Sequence, residues 1–98
     1  MTIYALSTGS GIAGVAIIRV SGPEAANVVK SLTQQEIPTP RMATLKKINN
    51  INTSELIDEG IIIWFPGPES YTGEDMAEIH IHGSKAVITA VQNEISKL

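Results

Sequence analysis

Gly9-Ser10-Gly11-Ile12-Ala13-Gly14, followed by Val15-Ala16-Ile17-Ile18-Arg19-Val20, decides the fold. The glycines match G-x-G-x-x-G, and the strand-like residues 3–8 precede them. A dinucleotide site needs a helix to start here, so that its first amides meet a pyrophosphate. The residues after Gly14 are instead rich in β-branched side chains, Val15, Ile17, Ile18 and Val20. That composition favours a buried strand. The glycines are therefore read as a turn between two strands, and a doubly wound nucleotide fold is set aside.

Outward from this strand, Ser21-Gly22-Pro23-Glu24 has the spacing of a capping box, with proline in the first turn. Ala25, Val28, Val29 and Leu32 recur at helical spacing, which predicts a helix over 24–33 with one buried face. Pro38 and Pro40 mark the loop that follows, and residues 42–50 form a candidate strand. Asn49-Asn50-Ile51-Asn52-Thr53 is a hairpin signal. Glu55 to Phe65 ends in Ile61-Ile62-Ile63-Trp64-Phe65, a run that reads as a central strand covered on both faces. Residues 66–75 are a loop, 76–82 a last strand, and Gly83-Ser84 opens a final helix with Val87, Ile88, Val91, Ile95 and Leu98 on one stripe. The order β-β-α-β-β-β-α indicates an α+β domain over 1–98, with a mixed, mainly antiparallel sheet and two helices.

Composition narrows the function. The chain has 98 residues, 43% hydrophobic and 17% charged, which suits one folded domain and excludes disorder. It has no cysteine, so no disulfide or cysteine–zinc scaffold is available. No apolar run approaches the roughly 20 residues of a membrane span. No charged leader precedes an apolar segment, so a cytoplasmic location is expected. The pattern stops as a helix ends, which suggests a domain excised from a longer chain. Seven basic against ten acidic residues give −3. Without clustered Lys and Arg, direct nucleic-acid binding by this stretch is disfavoured.

Few residues carry chemistry. Glu78, His80 and His82 alternate along one strand and share a face. Two histidines and a carboxylate could hold zinc, but without a further ligand nearby a polar sheet face is the better reading. Arg19 stands in an otherwise apolar strand. It either snorkels at an edge or pairs with a carboxylate or polar heterocycle. Residues 70–75, Ser-Tyr-Thr-Gly-Glu-Asp, are either an ordinary polar turn or the rim of a ligand site. Trp64 and Phe65 read as core. No G-x-x-x-x-G-K-[ST] motif occurs, so this stretch is expected neither to bind nor to hydrolyse GTP.

Two blocks resemble one family. Residues 15–23, Val-Ala-Ile-Ile-Arg-Val-Ser-Gly-Pro, are similar to "GVGIIRVSGP" near the start of the MnmE (TrmE) tRNA modification GTPases. Residues 65–75, running on to Glu78 and His82-Gly83, resemble that family's "FPGPxSFTGEDxxExxxHGG". Pro40-Arg41 and Asp58-Glu59-Gly60 fit as well, so the resemblance covers essentially the whole chain.

This resemblance implies an N-terminal domain similar to the folate-binding domain of aminomethyltransferases, one that binds 5-formyltetrahydrofolate and mediates homodimerisation. It implies helical and GTP-binding domains downstream, the latter holding GTP, Mg²⁺ and K⁺. It implies a cytoplasmic protein that works with an MnmG (GidA)-type flavoprotein to place a (carboxymethyl)aminomethyl group on C5 of the wobble uridine of tRNA, with no membrane involved. Arg19 and Glu78 fall on the family's folate-contacting arginine and glutamate, and a further basic contact lies beyond position 98. No catalytic residue and no metal ligand is implied within 1–98. Departures are Thr8 to Ala16 where the family often has "TPPGRGGVG", His80 where Gln or a small polar residue is usual, and Ser84 where a second glycine is usual. The alternatives are a dimerisation scaffold without folate binding and a stand-alone folate-dependent transferase domain.

Overall fold

A computed structural model describes residues 1–6 and 14–98. Its elements are β1 (Ile3–Leu6), β2 (Val15–Ser21), α1 (Ala25–Thr33), β3 (Thr44–Asn49), β4 (Leu56–Phe65), β5 (Met76–His82) and α2 (Lys85–Ser96). The expected order is the observed one. The expected turn at Gly9-Ser10-Gly11 and residues 7–8 of the expected first strand lie outside the described residues. A strand, not a helix, begins directly after Gly14. The geometry required by the dinucleotide reading is therefore not met.

Among the described residues, five strands form one sheet in the order β1-β2-β5-β4-β3, and each pair is antiparallel. Its central strand, β5, lies between β2 and β4. Ala16, Ile18 and Val20 of β2, Ile62 and Trp64 of β4, and Ala77, Ile79 and Ile81 of β5 are all buried. They form a single core with Val28, Val29 and Leu32 of α1 and Val91 and Ile95 of α2. Strand alternation sends the intervening side chains to the opposite face. Both helices thus cover one side of the sheet. The expectation that β4 is covered on both sides is corrected accordingly. Gly60, Ile62 and Trp64 are buried, whereas Ile61, Ile63 and Phe65 are only half-buried.

The helix starts differ from each other. At α2, Ser84 Oγ accepts from the Val87 N–H at 3.2 Å, an N-cap of the kind the sequence suggests. At α1 the capping box does not form. Ser21 is still sheet residue, paired with Ile3 and Met76, so its side chain faces away from the helix. Its hydroxyl meets Thr72 Oγ1 at 2.7 Å. The Glu24 N–H donates instead to Thr2 Oγ1 at 2.7 Å. Gly22 makes the turn at φ +134°, where a Cβ would lie 2.5 Å from Thr2 Cα. Leu98 also departs from expectation, because α2 ends at Ser96 and Leu98 is exposed. No helix among the described residues is long and apolar enough to cross a membrane.

Candidate functional site

The antiparallel register sets Arg19 of β2 directly opposite Glu78 of β5, and Ile17 opposite His80. On the other side of β5, Ile63 faces Glu78 and Ile61 faces His80. All six side chains lie on the sheet face opposite α1 and α2. Arg19 Nε donates to Glu78 Oε2 at 2.9 Å, and His80 Nε2 meets Glu78 Oε1 at 3.0 Å. Each carboxylate oxygen therefore has one partner and keeps acceptor capacity for another. Arg19 is thus a paired arginine, one of the two readings left open by the sequence. Its terminal Nη nitrogens have no hydrogen-bond partner among the described residues.

Burial alone would raise the Glu78 pKa. The hydrogen bonds from His80 and Arg19, reinforced by the Arg19 charge, outweigh that and hold it below the usual glutamate value. Glu78 is thus an ionised acceptor with a side chain only 15% exposed, beside an Arg19 that is 44% exposed. Flanking Ile17, Ile61 and Ile63 make one side of the surroundings apolar.

The loop of residues 66–75 borders this pair. The Gly67 N–H donates to Asp75 Oδ1 at 2.9 Å, and the Gly22 N–H to the Asp75 carbonyl at 2.9 Å. Ser70 Oγ donates to the Glu74 carbonyl, and Arg41 Nη2 to that of Glu69. The Gly22–Asp75 bond and the Ser21–Thr72 contact tie the loop to the end of β2, while the others brace it internally and against Arg41. They leave Tyr71 88% exposed, with the Arg19 guanidinium carbon 6.0 Å from its ring centroid. The loop is therefore internally bonded and fixed beside the pair, with Tyr71 as its exposed aromatic.

The two histidines are drawn to different partners. His80 goes to Glu78, while His82 Nδ1 meets Asp58 Oδ1 at 2.7 Å and the His82 N–H donates to Asp58 Oδ2 at 2.9 Å. Among the described residues, no three His, Cys, Asp or Glu side chains are grouped to hold a metal. His80 is hydrogen-bonded to Glu78 on the shared face. The i, i+2 alternation placed it on the face of Glu78, and that was the available signal. Trp64 is core, as expected, while Phe65 is only half-buried.

Asp58 has a consequence for acid stability. Burial pushes its pKa up, but the His82 backbone N–H and imidazole pull it below the ordinary aspartate value. A folded-state pKa below the unfolded one contributes stability that is complete above the unfolded value, about 4. That contribution is lost as pH falls through the folded value. Urea midpoints measured between neutral pH and about pH 3 should therefore fall less steeply in Asp58→Asn than in the unchanged protein. Equal slopes would remove this pair from the acid response.

The comparisons with known proteins agree among themselves. The family described as "GTP-binding protein TrmE N-terminus" matches residues 2–98. The chain is 71% identical over 98 residues to the tRNA modification GTPase MnmE of Pelagibacter ubique, covering 100% of this chain and 22% of that protein. It is 52% identical over 97 residues to a mitochondrial 5-taurinomethyluridine-tRNA synthase subunit of Danio rerio, covering 99% of this chain and 19% of the relative. MnmE of Rhizobium meliloti is 50% identical over 95 residues, covering 97% of this chain and 21% of that protein. The chain thus spans about a fifth of the length of these curated relatives.

Proposed function

The chain belongs to the TrmE N-terminal family, and from that premise we propose that it is the folate-binding, self-associating part of a tRNA modification GTPase. In the whole protein, GTP hydrolysis with Mg²⁺ and K⁺ belongs to a separate domain outside residues 1–98. The complete enzyme is cytoplasmic. It acts with an MnmG-type flavoprotein to add a (carboxymethyl)aminomethyl group at C5 of the wobble uridine of tRNA. Support for the tRNA-modification part comes from the relatives' names, a tRNA modification GTPase and a 5-taurinomethyluridine-tRNA synthase subunit.

One observation carries the folate reading. Glu78, a mostly buried carboxylate, is held ionised by Arg19 and His80 on an open sheet face. The donor set fits a reduced pterin. Its amino group and ring N–H need acceptors side by side, and the two oxygens of Glu78 still have lone pairs to give. Arg19 keeps Nη donors for a carbonyl, a formyl oxygen or a glutamate tail. Tyr71 and the 70–75 loop form the rim. When bound, a reduced folate supplies a one-carbon unit, while these residues bind and orient it.

The self-association reading rests on the same face. Val15 and Leu45 are 52% and 60% exposed there, next to half-buried Ile17, Ile61 and Ile63. Exposed apolar patches of this kind mark contact surfaces, and two-fold dimers are the commonest homo-oligomers. Calorimetric titration with 5-formyltetrahydrofolate and sedimentation equilibrium test the two parts separately. Saturable folate binding is expected, together with dimers at high concentration and no binding of GTP. Dimers without folate binding would leave the scaffold alternative. A monomer that binds folate would remove self-association.

A further inference from the structure

We propose that His80 is a positioning residue of this site, holding Glu78 through its Nε2 so that both carboxylate oxygens stay oriented toward the ligand. The inference rests on the folate reading and deepens it. Glu78 lies between two interior strand neighbours, Arg19 across β2 and Ile63 across β4. Arg19 fixes one oxygen only, at 2.9 Å through Nε. A carboxylate tethered at one oxygen can still turn about its terminal torsion, which is broad and roughly two-fold. The 3.0 Å contact from His80 fixes the second oxygen and closes that freedom.

The imidazole is itself confined. It stands on the face between Ile17 and Ile61, the residues opposite it in the two neighbouring strands. Its side chain is 24% exposed, less than the 44% of Arg19. His80 therefore need not touch the ligand to matter. Loss of its contact would let the acceptor pair swing and would cost affinity as lost pre-organisation.

The atom making the contact gives a sharp test. A glutamine amide nitrogen reaches the place of Nε2, whereas an asparagine amide nitrogen reaches only the place of Nδ1. His80→Ala and His80→Asn should each weaken 5-formyltetrahydrofolate binding about tenfold, the scale of one lost hydrogen bond to a charged group. His80→Gln should restore affinity to within about threefold of the original. Carbon-13 NMR of the Glu78 carboxyl gives a ligand-free readout. Its titration midpoint should rise in His80→Ala and return toward the original in His80→Gln. If the unchanged protein binds folate and all three variants bind equally, the positioning role is overturned and the folate reading stands. If the unchanged protein binds no folate, both fall together.

Discussion

Gly60→Ala is expected to destabilise the protein by about 3 kcal/mol, the upper end for an overpacked methyl group. A Cβ at Gly60 would lie 2.1 Å from the His80 carbonyl oxygen and 3.2 Å from its carbonyl carbon. The obstacle is backbone, so no side-chain rotation can relieve it. The described β4–β5 register runs from Ile61–His80 to Phe65–Met76, which puts Gly60 at the margin of this pairing. Either β4 moves away from the central strand, or the chain shifts at His80 and disturbs its hold on Glu78. Both outcomes expose core, since Ile62 and Ile79 face each other one pair further along. Urea denaturation should show a much lower midpoint with little change in slope. A midpoint matching the unchanged protein would mean that the close approach at Gly60 is absent.

Glu78→Gln is expected to lower affinity for 5-formyltetrahydrofolate by about tenfold to a hundredfold, corresponding to ~1–3 kcal/mol. The substitution keeps the shape of the side chain but converts one acceptor oxygen to a donor nitrogen. Against Arg19 Nε or a pterin N–H that nitrogen sets a donor against a donor, and only the His80 imidazole can accept from it, by a change of tautomer that ends its donation to Glu78. It also removes the negative charge that balances Arg19. Arg19→Ala should cost a similar factor, because it both frees Glu78 and deletes the Nη donors. Fold stability should change less than affinity in each case, since neither side chain belongs to the buried core. Calorimetry on the three proteins gives the comparison, and equal affinities would take both residues out of the site.

Much of this was legible in the sequence, for identifiable reasons. The strand after Gly14 and the helix over 24–33 are written in local patterns, β-branched density in one case and helical spacing in the other. The Glu78–His80 alternation likewise fixes a shared face without knowledge of the fold. Features that were not legible depend on partners distant in the chain. The α1 start looked like a capping box, yet Thr2 supplies the hydroxyl from 22 positions away. Ser21 was committed to the sheet by two strand neighbours that no local window contains. Arg19 and Glu78 were joined in the sequence only by the family resemblance, not by any local pattern. Their pairing depends on the β2–β5 register, which joins residues 59 apart. Gly60 entered only within the family-like Asp58-Glu59-Gly60, and the need for glycine there comes from the carbonyl of another strand, which no local pattern shows.

The most direct test of the central claim is to map 5-formyltetrahydrofolate onto the protein by amide chemical-shift titration. The expected result is saturable perturbation of Arg19, Glu78, His80 and residues 70–75, with smaller shifts at Ile17 and Ile63 across the same face. The contradicting result is either no saturable shift or perturbation confined to the opposite side. There a groove lined by Tyr4, Pro23, Val28, Ile95 and Leu98 lies between β1 and the helices.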